Sequence, residues 1–197
     1  MKRPADVTRE QLFDAASQLF REYGYAETSH ADISAEADIG RTTFYEHFAS
    51  KEDLLVQLVQ RDLPALINEI LAEIPPGLSP DMHLRELTVR FVEFVGIDHL
   101  GLILHTEVSR LSAHAQQAIA GSHQELSNEI MGIYRSGVAS GVFAALPGPV
   151  VGRLIQETMM AGGRAVMDLP DPKQHVHAIA EATAGFLVNG LRAETRA

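Results

Sequence analysis

Apolar residues recur at intervals of three and four along almost the whole chain, which has 197 residues. This spacing places them on one face of an α-helix, whereas no run alternates strictly enough to predict a strand. The first predicted helix begins at Thr8, whose hydroxyl can cap it, and ends at Gly24. Its apolar stripe consists of Leu12, Ala16, Leu19, Phe20 and Tyr23. We therefore predict an all-α protein of about nine helices.

Two short helices are predicted next. Ser29 and Asp32 form the pattern of a reciprocal cap, which predicts a helix that runs to Ala37. After the tripeptide Asp38-Ile39-Gly40, the segment from Arg41 to Phe48 predicts a second short helix. Two short helices joined by a tight turn that contains glycine are typical of a helix-turn-helix.

Longer helices are predicted in the rest of the chain. One starts at Lys51 and ends before Pro75, with a bend near Pro64, because proline removes a backbone hydrogen bond. Ser79 and Pro80 are typical of the start of another helix, since serine caps and proline is tolerated in the first turn. Further helices are predicted at about residues 83–94, 98–109, 113–120, 123–140, 150–169 and 173–194.

The composition excludes several kinds of site. The chain contains no cysteine, so disulfides, thiolate metal ligands and cysteine nucleophiles are ruled out. The charged N-terminus is not followed by an apolar run, and no apolar stretch is long enough to span a bilayer. We therefore expect a soluble, cytoplasmic protein.

The charge balance argues against a polyanionic partner unless the basic residues are placed favourably. The formal net charge is -10, and the first 51 residues carry six basic against nine acidic side chains, a balance of -3. Binding to DNA depends on neutralising phosphates. Five of the basic residues lie at predicted segment starts where they can face phosphate: Lys2, Arg3, Arg9, Arg41 and Lys51. We expect modest non-specific affinity for DNA and binding that needs both halves of a dimer.

Residues 24–55 read GYAETSHADISAEADIGRTTFYEHFASKEDLL. This segment resembles the signature of the TetR family of bacterial transcription regulators. The resemblance implies a helix-turn-helix DNA-binding domain over residues 1–50 and a ligand-binding and dimerisation domain over residues 51–197. It further implies a repressor that leaves its operator when a small molecule binds, and no cofactor.

A recognition helix enters the major groove by its N-terminal end. Arg41, Thr42, Thr43 and the exposed one of Phe44 and Tyr45 are therefore predicted to meet DNA, with Arg41 suited to guanine. The resemblance implies phosphate contacts for Tyr45, His47 and Lys51. Thr28 and Ser29 are expected to contact phosphate through a hydroxyl or a backbone amide. Asp38, Gly40 and Thr42 depart from the family pattern, which leaves the operator sequence open.

A DNA-binding dimer needs an interface, and the last two predicted helices offer wide apolar stripes. Gly162 and Gly163 are expected to let the helices approach closely. The predicted interface residues are Val151, Leu154, Ile155, Thr158, Val176, Ile179, Thr183, Phe186 and Leu187. The alternative is that these stripes form the core of a single chain.

The resemblance also implies that the middle helices enclose a pocket for a mostly apolar effector. The expected lining residues are Phe91, Phe94, His99, Leu102, His105, Met131, Tyr134, Met159 and Arg164. Because methionine and aromatic residues at helical spacing are also ordinary core residues, that alternative stays open.

Other classes of protein are less compatible with the sequence. A metal hydrolase does not fit, because no two histidines lie three or four residues apart, and pairs such as His83 with Glu86 offer only two ligands. The chain also lacks a phosphate-binding loop, a dinucleotide fingerprint and a nucleophile elbow, so an enzyme is not expected. A helical module that binds protein and not DNA remains the alternative function, and an activator is as compatible with the sequence as a repressor.

Overall fold

The computed structural model describes residues 4–97, 107 and 110–193. These residues form two compact units. The first contains residues 4–63, 107 and 110–122, and the second contains residues 64–97 and 123–193. His99, Leu102 and His105 of the predicted pocket lie outside the described residues.

The prediction of an all-α fold is confirmed in the described part of the chain, where the only β-type pairing is an isolated bridge between Phe143 and Arg192. The first unit is built from α1 to α4 and α6, and the second from α5, α7, α8, α9 and the end of α4. The helices are α1 Pro4–Tyr23, α2 His30–Glu36, α3 Arg41–His47, α4 Lys51–Ala72, α5 Pro80–Ile97, α6 Ala113–Ala120, α7 Gln124–Ala139, α8 Gly148–Met167 and α9 Pro172–Leu191.

The start of α1 differs from the prediction. The helix begins at Pro4, one turn before Thr8, because proline fits the first turn, where its missing N–H would have no partner inside the helix. Helix α4 continues through Pro64 as one element and therefore contributes residues to both units. A bend at Pro64 stays a prediction.

The second unit owes its close helix packing to three glycines. A Cβ atom on Gly163 would lie 2.6 Å from Cγ1 of Val95, and one on Gly162 would lie 2.6 Å from Oγ1 of Thr183. A Cβ atom on Gly96 would lie 2.8 Å from Val166. The glycines thus allow α5, α8 and α9 to pack within one chain, whereas the sequence had suggested that Gly162 and Gly163 bring helices together between subunits.

Candidate nucleic-acid interface

A small aromatic core holds the first unit together. The rings of Phe13 and Phe48 meet edge to face with centroids 5.1 Å apart, and Phe44 lies 5.9 Å from Phe48. All three side chains are buried. The guanidinium of Arg61 lies 4.4 Å from the centroid of Phe13 and forms an ion pair with Glu10. Through this packing α1, α3 and α4 contact one another, and α3 is held in a fixed position.

Helix α2 begins with the predicted reciprocal cap, which the structure confirms. The amide of Asp32 donates to Oγ of Ser29 over 3.2 Å, and the amide of Ser29 donates to Oδ2 of Asp32 over 2.8 Å. The hydrogen bonds from Ser29, that of its side chain first, lower the pKa of Asp32. Two amides at the start of α2 are thereby satisfied within the fold.

The turn between α2 and α3 depends on Asp38, which adopts a left-handed conformation with φ of 53°. The amide of Ile39 donates to the carbonyl of Ser34 over 3.0 Å and closes the turn. Gly40, in contrast, has an extended backbone with φ of -68° and ψ of 146°, and it gives α3 no side-chain cap. The left-handed position of this turn is therefore occupied by aspartate, while the glycine lies where any residue fits.

Helix α3 has one buried and one exposed side. Phe44 is fully buried in the core, so it is not a DNA contact, and Tyr45 is the exposed one of the two. Tyr45 is 49% exposed, and Arg41 and Thr42 are exposed one turn earlier on the same helix. The ring of His30 packs 5.4 Å from the ring of Tyr45 and supports it from α2. Thr43 and His47, at the margin of this surface, are half-buried.

Thr28 and Lys51 take part in internal contacts. The hydroxyl of Thr28 donates to the carbonyl of Gly24 over 2.8 Å, and the residue is only 3% exposed, so the expected contact through this hydroxyl is wrong, and a contact through the backbone amide stays a prediction. The ammonium of Lys51 donates to the carbonyl oxygens of Tyr25 and Thr28, each over 2.7 Å. Ser29, by comparison, is exposed at the start of α2.

Two contacts between α4 and the segment of α6 were not predicted from the sequence. Glu52 accepts hydrogen bonds from Ser112, and Gln60 donates through Nε2 to the carbonyl of Ala118 over 3.0 Å. The partners are about 60 residues apart along the chain. The only local signal is the capping serine at position 112, which indicates a helix start but not its distant partner.

The predicted pocket residues have different surroundings in the second unit. Phe91 and Phe94 are half-buried against Val95 and Met160. Tyr134 stacks on the ring of Phe143, and its hydroxyl donates to the carbonyl of Ala144 and accepts from the amide of Leu146; its place in a pocket stays a prediction. Met131 lies against Gly148 and Gly152, Met159 is fully buried, and Arg164 is half-buried.

The predicted interface residues on α8 and α9 divide into two sets. Leu154 and Phe186 are 56% and 70% exposed, as a subunit interface requires. The other predicted interface residues are buried or only partly buried. Val151, Ile155, Val176 and Leu187 are buried in the core of their own chain, which contradicts their assignment, whereas Ile179, Thr183 and Thr158 are only partly buried. Val150, absent from the prediction, is 54% exposed.

Other kinds of site find little support. Within the described ranges, no group of three or more histidine, aspartate or glutamate side chains is arranged to hold a metal ion. In the same part of the chain, no helix has the length and apolar character needed to cross a membrane.

Comparisons with known proteins find bacterial transcription regulators that are similar to this chain. Residues 12–58 match the family of bacterial regulatory proteins called tetR. The transcriptional repressor KstR2 of Rhodococcus jostii is 28% identical over 148 residues, which cover 71% of this chain and 72% of that protein. The transcriptional activator FasR of Mycolicibacterium smegmatis is 29% identical over 98 residues, which cover 50% of this chain. The match spans less than half of FasR itself, 45% of its length.

The fold is similar over a longer stretch. The crystal structure of the regulator FadR from Bacillus subtilis in complex with stearoyl-CoA superposes with a TM-score of 0.76 and 22% identity, and the match covers 93% of this chain and 99% of that one. Residues 12–58 therefore match the tetR family of bacterial regulatory proteins, and the chain over most of its length has a fold similar to that of FadR.

Proposed function

We propose that this protein is a repressor that binds operator DNA through α3 and its flanks. The observation that supports this most directly is that α3 has one buried and one exposed face. Phe44 packs in the core, while Arg41, Thr42 and Tyr45 are exposed together. Arginine suits the acceptor edge of guanine, the threonine methyl suits thymine, and the tyrosine hydroxyl suits a phosphate oxygen. The net charge of -10 makes this local surface necessary, because the chain as a whole repels DNA.

The protein acts as a homodimer in this proposal. A single recognition helix reads only a few base pairs, so two copies must present theirs to half-sites on one face of the duplex. The exposed apolar side chains Val150, Leu154 and Phe186 on α8 and α9 are the surface available for this. A symmetric pairing of this pair of helices with its copy would cover them from water.

The effector in this proposal is a small, mostly apolar molecule with a long hydrocarbon part. Phe91, Phe94 and Met167 are only partly buried around Val95 and Met160, and together they offer aromatic and thioether surface to an acyl chain. The structural relative FadR was solved with stearoyl-CoA, which is the same chemical class of ligand. Helix α4, which belongs to both units, is the continuous connection through which a ligand-bound state is expected to reach α3.

The experiment that tests this function combines DNA binding with transcription. The fluorescence anisotropy of a labelled duplex from upstream of the gene is measured with the purified protein, and stearoyl-CoA is then added, with free coenzyme A as the control. We expect stearoyl-CoA to release the DNA and coenzyme A to leave it bound. A reporter under the same upstream region should rise when the gene is deleted, whereas a fall would indicate an activator.

Variants on α5 test the effector surface. Phe94→Ala should require more stearoyl-CoA for release, because it removes part of the apolar surface. Met82→Ala is the matched control, since Met82 lies on the same helix but is 48% exposed, outside that cluster. Equal responses of both variants and the wild type would contradict the assignment of the surface.

A further inference from the structure

Lys51 stands in a position that its charge does not favour by itself. It is the first residue of α4, and a cation there faces the positive end of the helix dipole. The side chain is half-buried, and burial is the largest cause that lowers the pKa of this ammonium. Something in the surroundings must offset both effects for lysine to be favourable at this position.

The offset comes from the loop between α1 and α2. Nζ of Lys51 donates to the carbonyl oxygens of Tyr25 and Thr28, each over 2.7 Å, and lies 3.5 Å from that of Ala26. The same atom lies 4.2 Å from the centroid of the Tyr25 ring, which is cation–π distance. The negative charges of Glu107, Glu27 and Asp32 also favour the charged form.

These contacts fix the loop that leads into α2. The loop starts at Gly24, whose φ of 86° is left-handed, and its amide donates to the carbonyl of Phe20. It ends at Thr28, whose hydroxyl returns to Gly24, followed by the cap at Ser29. Lys51 therefore connects the start of α2 to the start of α4, only four residues after α3 ends at His47. Two of the three N–H groups of the ammonium are bonded to carbonyl oxygens, and the carbonyl oxygen of Ala26 lies 3.5 Å away for the third, so the ammonium is directed toward the loop.

We propose that Lys51 is a positioning residue for DNA binding, which acts by holding the loop of residues 25–28 and not by contacting a phosphate. The proposal rests on the DNA-binding function proposed above. It assigns to Lys51 the task of fixing α2 against α3 and α4, so that the exposed face of α3 keeps one geometry in the groove. The two roles differ in a measurable quantity, because only a phosphate contact releases counterions.

The test measures operator affinity against salt, between about 50 and 200 mM, for the wild type, Lys51→Met and Lys51→Gln. We expect Lys51→Met to weaken binding by about tenfold or more, the size of one charge-assisted hydrogen bond, with an unchanged slope of log affinity against log salt. Lys51→Gln should recover part of this affinity, because its amide still donates to a carbonyl. Arg41→Ala serves as the comparison for the loss of a side chain on the exposed face of α3, and it should weaken binding while Lys51 keeps its contacts with the loop.

Two results would overturn the proposal. A slope that becomes shallower by about 0.9 in both Lys51 variants would show that Lys51 neutralises a phosphate. An unchanged affinity with a lowered melting temperature would show that Lys51 serves only the stability of the fold.

Amide hydrogen exchange, measured without DNA, tests whether Lys51 holds the loop independently of the DNA-binding function. Amide hydrogen exchange in peptides that cover residues 24–30 should become faster in Lys51→Met, while exchange in α9 stays unchanged. If the wild type bound no DNA, the proposed function would fail and the positioning role with it, and the exchange rates would still decide whether Lys51 holds the loop. Unchanged exchange in residues 24–30 would contradict the anchor itself.

Discussion

The carboxylate of Glu52 accepts two hydrogen bonds from Ser112, one from Oγ over 2.6 Å and one from the backbone amide over 3.1 Å. Glu52 lies in the first turn of α4, and Ser112 is the cap of α6, where its Oγ also accepts from the amide of Ala115. The contact therefore joins the helix that follows α3 to a segment from the middle of the chain. Both residues belong to the first unit.

This contact predicts a pH-dependent contribution to stability. The hydrogen bonds from Ser112 lower the pKa of Glu52, so the native state favours the ionised carboxylate. The stabilisation is present above the ordinary pKa of glutamate and is lost as the pH falls through the lowered value. Because Glu52 is only partly buried and water screens its charge, Glu52→Gln should reduce the free energy of unfolding at neutral pH by less than about 1 kcal/mol.

Urea unfolding of the wild type and Glu52→Gln at several pH values measures this difference. It should shrink as the solution is acidified below the lowered pKa. A difference that is constant with pH, or that grows in acid, would contradict the role of the ionised carboxylate.

We expect two substitutions in the turn between α2 and α3 to be tolerated, each for a different reason. Asp38 has a φ of 53°, which glycine adopts without steric cost, so Asp38→Gly should leave the stability unchanged or raise it by up to about 1 kcal/mol. Gly40→Ala is the matched substitution: Gly40 has a negative φ, and the nearest atom to an added Cβ is Oγ1 of Thr43 at 3.9 Å. It should be tolerated as well. Thermal unfolding checks both, and a marked fall in stability in Gly40→Ala would show that this glycine is needed after all.

We expect substitution by alanine to have opposite effects on stability at two glycines of α7. A Cβ atom on Gly137 would lie 2.0 Å from Cδ2 of the buried Phe143 ring, so Gly137→Ala should destabilise the fold by about 1–3 kcal/mol. Gly132 has no atom within 4 Å of an added Cβ, so Gly132→Ala should stabilise the helix by up to about 1 kcal/mol. Denaturant midpoints of the two variants give the comparison. Equal midpoints would contradict the close contact between α7 and Phe143.

The exposed face of α8 and α9 predicts the oligomeric state. Phe186 is 70% exposed, and a charge placed there should prevent the helices from pairing with a second copy, so Phe186→Glu should sediment as a monomer. Met82→Glu is the control, because Met82 is also exposed but lies on α5. A wild-type protein that sediments as a monomer would contradict the proposed interface, as would a Phe186→Glu variant that remains a dimer.

The sequence predicted well those features whose partners are close along the chain. The reciprocal cap of Ser29 and Asp32 and the range of α6, residues 113–120, follow from local hydrogen-bonding rules and appear as expected. Helical periodicity also located α8 and α9 to within a few residues. In these cases the residues that decide the structure lie within one or two turns of each other.

Features that depend on distant partners were not accessible in the same way. Phe44 and Tyr45 are adjacent aromatic residues, and only the packing against Phe48 and Phe13 decides which one is buried. Lys51 looks free in the sequence because its carbonyl partners are 23 and 26 residues earlier. On α8, apolar residues cover both the face that packs in the core and the face that is exposed. The sequence does not separate the two faces, whereas the structure shows that Val151 is buried and Leu154 is exposed.

DNA recognition by α3 is tested by a footprint and affinity titration on the DNA upstream of the gene, made with the wild type, Arg41→Ala/Tyr45→Ala and Lys173→Ala. Lys173, at the start of α9, is exposed and carries the same charge as Arg41 but lies in the second unit. We expect salt-sensitive protection of a near-palindrome with half-sites about 34–36 Å apart or a multiple of that distance, abolished in the α3 variant and kept in Lys173→Ala. Salt-insensitive or absent binding of the wild type there and across a genomic library, or equally weakened binding in both variants, would contradict it.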